Sequence, residues 1–169
     1  DPLISAETAK AAMELYFEHR PEKPVIAVIH SHSHVDHYGG VKGVVDEADV
    51  EAGKVRIIAP EGFLEAAAAE NVLVGNAMTR RAMFQFGGLL APDEKGTVGV
   101  GLGIGVSLGT VTLIPPTDTI TETGQKMVID GLTFEFMLTP DTEAPAEMHW
   151  YIEELKAVTA ADNSVHTLH

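Results

Sequence analysis

The sequence predicts one α/β domain, a two-layered sheet with helices outside, on three observations. Apolar runs of strand length alternate with helix-period segments in the first half, which implies βαβ units and a largely parallel sheet. From Gly96 onward the runs are short, closely spaced and β in character. No linker or internal repeat divides the 169 residues.

The elements follow in order. Ser5 to Arg20 reads as a helix capped by Ser5, with Ala9, Ala12, Met13 and Tyr16 at helical spacing. Pro24 to Ile29 is a continuous apolar run, suited to a strand buried on both faces. A histidine cluster comes next, then Gly39 and Gly40, then a helix through Val50. Val55 to Ala59 is the next strand, and Pro60 fits the first turn of another helix, continuing with breaks through Arg81 to Phe86. The runs TVTLI, KMVID, LTFEFML, MHWYI and KAVTAAD supply the later strands, with Asp130-Gly131 as a turn signal between two of them.

Composition narrows the function. Hydrophobic residues make up 45% and charged residues 21%, and no apolar run approaches the roughly 20 residues of a membrane-spanning helix. No integral membrane segment is therefore expected. The net charge of −14, from 11 basic against 25 acidic residues, repels polyphosphate and argues against nucleic acid as a partner. A small anionic substrate stays compatible, because bound dications reverse the local field. With no cysteine in the chain, any metal must be held by His, Asp and Glu.

HSHSHVDH places His30, His32, His34, Asp36 and His37 within eight residues. In extended backbone His32, His34 and Asp36 point one way, and a turn brings His37 to a second point. Two imidazoles then serve one ion, and a carboxylate with a third imidazole serves its neighbour. Zinc accepts this nitrogen and oxygen set, and paired ions about 3.5–4 Å apart clamp both ends of a displacement. The cluster also follows a buried strand, where open α/β sheets place ligands. An affinity tag would be terminal and lack the aspartate. His30, at the strand end, reads as structural. Further ligands are expected at other strand ends, where one stretch offers Asp141 and Glu143 and another Asp162, with His166 and His169 placed near the site without ligand roles; an isolated carboxylate there would otherwise be a solvated loop residue.

The stretches DPLISAETAKAAMELY, SHSHVDHYGGVKGV, ENVLVGNAMTRRAMFQFG, GTVTLIPPTDTI, PDTEAPAEMHWYIEE and AADNSVHTLH together resemble the alkylsulfatase branch of the metallo-β-lactamase superfamily, whose enzymes hydrolyse dodecyl sulfate and related esters. HxHxDH marks only the superfamily; NAMTRRA and PDTEAPAEM are more specific. The resemblance implies an αββα sandwich, incomplete at both ends, holding two zinc ions. His32 and His34 would hold the first ion, and Asp36, also expected to be catalytic, and His37 the second. Glu143 would stand where the lactamases have a third histidine, and Asp162 where the family has a glutamate shared between the ions. Aspartate is one methylene shorter than that glutamate; Ser31 stands where the family tends to have threonine.

Residues 1–169 are accordingly expected to be part of a catalytic domain that lacks its opening strands and a last ligand histidine. The implied reaction is hydrolysis of an alkyl sulfate to alcohol and sulfate by metal-activated water. The implied full-length protein is a homodimer, with a periplasmic or secreted location. Other readings are a lactonase, β-lactamase or phosphodiesterase of the same fold, which usually has histidine at the Glu143 position, or a metal-binding remnant without turnover.

Other features are less directed. VGVGLGIGVSLG has Ile104 and Leu108 where GxGxxG needs glycine, so it reads as a loop, either beside the site or merely unpacked. Arg80 and Arg81 suit forked contacts to an oxyanion, or form a solvated helix pair. Phe84, Phe86, Leu89 and Leu90 line an alkyl channel or, as expected here, pack in the core.

Overall fold

The computed structural model describes residues 1–100 and 103–166. Its helices are α1 (Ala6–His19), α2 (Val35–Tyr38), α3 (Glu47–Glu51), α4 (Phe63–Ala68) and α5 (Gly75–Phe86). Its strands are β1 (Ala27–Ile29), β2 (Arg56–Pro60), β3 (Asp118–Ile120), β4 (Lys126–Ile129), β5 (Leu132–Leu138), β6 (Met148–Ile152) and β7 (Ala157–Thr159). The first three strands form a parallel sheet in the order β1-β2-β3, and the rest an antiparallel sheet in the order β4-β5-β6-β7.

The sheets face each other across one apolar layer. Ile58 and Ile120 from the parallel sheet meet Phe134, Phe136, Met148 and Trp150 from the antiparallel one. Along β5, Phe134 and Phe136 are buried while Met137 is half exposed, the two-residue period of a sheet with one covered face. On the other side of the parallel sheet, Val28 and Ile57 pack with Val41, Val45, Val50 and Ile114. A third cluster joins Ala59 to Tyr38, Phe63, Ala67 and Ala146. Each large side chain fully buried in these layers contributes about 1.5–3 kcal/mol. The result is an αββ stack. The outer face of the antiparallel sheet bears no helix among the described residues, leaving Val128, Tyr151 and Val158 exposed. The α/β sandwich is therefore partial.

Local chemistry accounts for the boundaries. Ser5 Oγ accepts from Thr8 N–H and caps α1. Asp130 and Gly131 both take positive φ, 49° and 78°, and close the β4–β5 hairpin at the Ile129–Leu132 pair. Arg56 ties β2 to β3 by a forked pair to Asp118 at 2.6 and 3.0 Å; that contact raises the arginine pKa and lowers that of Asp118.

Several sequence expectations are corrected. Pro60 ends β2, and the next helix starts at Phe63 after Gly62 turns at φ 77°. Arg56 N–H bonds toward β1 and the Glu61 N–H toward β3; by alternation the Pro60 nitrogen faces the β1 side, where that strand has already ended. The helix through Val50 is α2, a 3₁₀ turn over Val41–Gly43 and α3. The run from Thr110 to Ile114 forms no ladder, because Pro115 and Pro116 offer no N–H to continue one; β3 forms just beyond them. Of the expected buried stripe on α1 only Ala9 is buried, and Tyr16 is exposed, because the helix packs only near its start. Phe84 is 92% exposed, and Leu89 and Leu90 are exposed too, so the core assignment for them does not hold. In the glycine run, Gly101 and Leu102 lie outside the described residues, as does His169.

Candidate metal centre

The histidine segment leaves β1 at the carboxyl edge of the parallel sheet, held by His30 N–H on Ile58 O at 2.9 Å. The His30 ring goes backward into an aromatic box, stacked on Phe63 at 5.1 Å and edge-on to Tyr38 at 6.3 Å. Burial pushes its pKa down to about 3. The other three rings gather forward. The His32 and His37 centroids are 4.0 Å apart, and those of His32 and His34 4.7 Å.

Three ligand atoms, one each from His32, His37 and Asp162, lie within 4.8 Å of one another. His37 Nε2 is 3.3 Å from Asp162 Oδ2 and 3.7 Å from Asp36 Oδ2. His34 Nδ1 is 3.4 Å from Glu143 Oε1, and its Nε2 is 3.9 Å from Glu70 Oε2. All six residues expected from the sequence thus border one locus, assembled from the loop after β1, helix α2, the loop before β6 and the 3₁₀ turn after β7. Asp141 and His166, also considered, are exposed.

Hydrogen bonds fix which ring nitrogens are free. The Asp1 carboxylate accepts from Ser31 N–H at 2.7 Å and from Ser31 Oγ at 2.7 Å. With the hydroxyl proton spent there, Ser31 Oγ accepts from His32 Nδ1–H at 2.9 Å. The same carboxylate takes His37 Nδ1 at 3.2 Å. His32 is left with a bare Nε2 lone pair, and the Nε2 of His37 faces Asp162 and Asp36. Burial, reinforced by the neighbouring His37 and His34, lowers the His32 pKa to about 3, so the ring stays a neutral donor.

This donor set fits a metal ion. His32 Nε2 is buried and has no hydrogen-bond partner, which for a polar atom costs about 1–3 kcal/mol unless something else satisfies it. His30 also has bare ring nitrogens, but its ring lies against two aromatic rings, whereas His32 shares its locus with another imidazole and a carboxylate.

Sequence reasoning missed Glu147, Asn163, Asp1 and Glu70. Glu147 is 1% exposed at the head of β6, and its backbone bridges antiparallel to His32. A lone acid entering an apolar strand was the available signal. The locus opens through His34, Asp36 and Glu143 into a cleft of about 1450 Å³, walled also by Val72, Leu73, Met78, Phe86 and Arg81.

A sequence profile described as the metallo-β-lactamase superfamily matches residues 1–164, and the chain belongs to that superfamily. Across all 169 residues it is 69% identical to a linear primary-alkylsulfatase of a Pseudomonas species and 52% identical to an alkyl/aryl-sulfatase of Saccharomyces cerevisiae. It covers 25% and 26% of those proteins, so it spans about a quarter of the length of the curated relatives it matches. The solved structure of a stereoselective inverting sec-alkylsulfatase from a Pseudomonas species superposes with a TM-score of 0.91 at 45% identity, over 96% of this chain and 26% of that one. These relatives place the sequence in the alkylsulfatase branch.

Proposed function

We propose that this chain forms part of the active site of a two-zinc hydrolase that converts alkyl sulfate esters to alcohol and sulfate. The observation that carries the reading is the convergence of His32, His37 and Asp162, with the His34–Glu143 pair beside them, at the mouth of a cleft with apolar walls and an arginine. The names of its relatives support the substrate class.

His32, His34 and Glu143 would hold one ion, Asp36 and His37 the other, and Asp162 would be shared. When bound, such ions supply Lewis acidity and lower the pKa of water toward neutrality. The remaining work falls to the chain. Asp36, half exposed with Oδ2 3.7 Å from His37 Nε2, is the catalytic carboxylate, placed to take a proton from the attacking water. Arg81 faces the cleft and suits the sulfate oxygens. Val72, Leu73, Met78 and Phe86 give the alkyl tail an apolar wall. The full-length protein is a homodimer on this reading, which light scattering checks.

The test is elemental analysis and dodecyl sulfate turnover of the full-length protein and its His34→Ala variant. The expected result is two zinc ions per chain, fewer in the variant, and turnover reduced at least a hundredfold. A metal-free wild-type protein, or a variant as active as wild type, would overturn the proposal.

A further inference from the structure

Glu147 is buried at the centre of the loops that bring the two distant carboxylates to the histidines. Its Oε2 accepts from Glu143 N–H at 3.0 Å and Ala144 N–H at 2.9 Å, and lies 3.2 Å from Thr142 Oγ1, whose proton points to Thr139 O at 2.7 Å. Its Oε1 accepts from Asn163 Nδ2 at 2.5 Å. A carboxylate offers about four acceptor sites, and three donors from two loops fill them in part. One donor is the backbone amide of Glu143, and another is the side chain next to Asp162. The backbone of Glu147 meanwhile bridges to His32. Asn163 is held from the far side as well, its Nδ2 lying 2.9 Å from His149 Nε2 and 3.1 Å from Thr142 Oγ1.

From this arrangement we propose that Glu147, acting through Asn163 and the 142–144 loop, is a positioning residue that sets Glu143 and Asp162 against the histidine loop. Glu143 is far less buried than Glu147, and an exposed side chain loses rotamer freedom on ligation. Fixing its backbone reduces what remains to be ordered. The same carboxylate oxygens reach both loops, so the two ligands are registered to each other as well as to His32. Orienting partners of this kind are worth about 10–100-fold in metal affinity.

The inference rests on Glu143 and Asp162 being ligands, and the test separates the two claims. In the full-length protein, zinc affinity is measured by chelator competition and ligand geometry by the visible spectrum of the cobalt(II)-substituted form. Wild type is compared with Glu147→Gln, Asn163→Ala and Glu143→Ala, and thermal melts of the metal-free forms report folding. Expected are at least tenfold weaker zinc binding and altered cobalt bands in Glu147→Gln. Asn163→Ala, which removes an exposed side chain, is expected to weaken zinc binding as well and decides the matter if Glu147→Gln does not fold. Wild-type affinities and unaltered bands in folded Glu147→Gln and Asn163→Ala, while Glu143→Ala loses metal, would overturn the positioning role alone. Glu143→Ala binding metal like wild type would instead remove the ligand assignment on which it stands.

Discussion

Ser31 has one hydroxyl proton and two neighbours competing for it. Asp1 takes it at 2.7 Å, so His32 must donate Nδ1–H to the same oxygen at 2.9 Å. Because Ser31 and His32 are both buried, no solvent replaces the hydroxyl when it is removed. Ser31→Ala is expected to weaken zinc binding about tenfold by freeing the His32 ring to reorient, whereas Ser31→Thr keeps the hydroxyl and wild-type affinity. Chelator competition on the full-length protein checks both. Equal affinity in Ser31→Ala would show that the neighbouring rings alone hold the tautomer. At this scale the clustered histidines were legible because they lie within one short segment. Glu143 and Asp162 were legible as two candidates among several at strand ends, and only the resemblance singled them out. Asp1 and Asn163 were not, since their roles come from contacts across 30 residues for the one and 16 and 21 for the other, which no local pattern encodes; Glu147 left only the signal of a lone acid entering an apolar strand.

The segment after the histidines depends on how closely two backbones can run. A Cβ on Gly40 would come within 2.0 Å of Pro2 O and 2.6 Å of Ser5 O, both backbone atoms that cannot rotate away. Gly40→Ala is therefore expected to destabilise the fold by about 1–3 kcal/mol or more, read in a urea titration. A second tie at the start of α1 is a pair of hydrogen bonds to a charged carboxylate. The Glu7 carboxylate accepts from Thr110 N–H and Thr110 Oγ1, each at 2.7 Å, and these bonds lower its pKa from 4.5 to about 2. A depressed carboxylate pKa stabilises the folded state above pH 4.5, and that contribution disappears as pH falls toward 2. Glu7→Gln should flatten the acid limb of stability between those values; an unaltered limb would place the acid sensitivity elsewhere. TVTLI has the composition of a strand without its ladder. Thr110 and Thr112 are held by Glu7, Ala6, Gly39 and Lys42, scattered partners rather than one neighbouring strand. The hairpins β4 to β7 were readable because turn chemistry and alternation are local. The β2–β3 pairing was not, since it joins residues about 60 apart.

Over the whole molecule, charge and metal binding are one problem. The chain carries a net −14, and its locus gathers Asp36, Glu143 and Asp162 around three imidazoles, with Asp1 and Glu70 close behind. Like charges this close repel unless something positive lies between them. The acidic balance that disfavours polyanions therefore favours dications, and holding them becomes part of folding stability. A ligand at a hundred times its Kd stabilises by about 2.7 kcal/mol, which for a domain of this size raises Tm by roughly 5–10 °C. Removing metal from the full-length protein with a chelator is expected to lower Tm, by less than that because a longer chain has a larger unfolding entropy. Zinc should restore it, and magnesium at equal ionic strength should not, because magnesium prefers octahedral oxygen ligands over imidazole. Restoration by either ion would reduce the effect to screening of the acidic surface, and the nitrogen donors of His32, His34 and His37 would have no part in it.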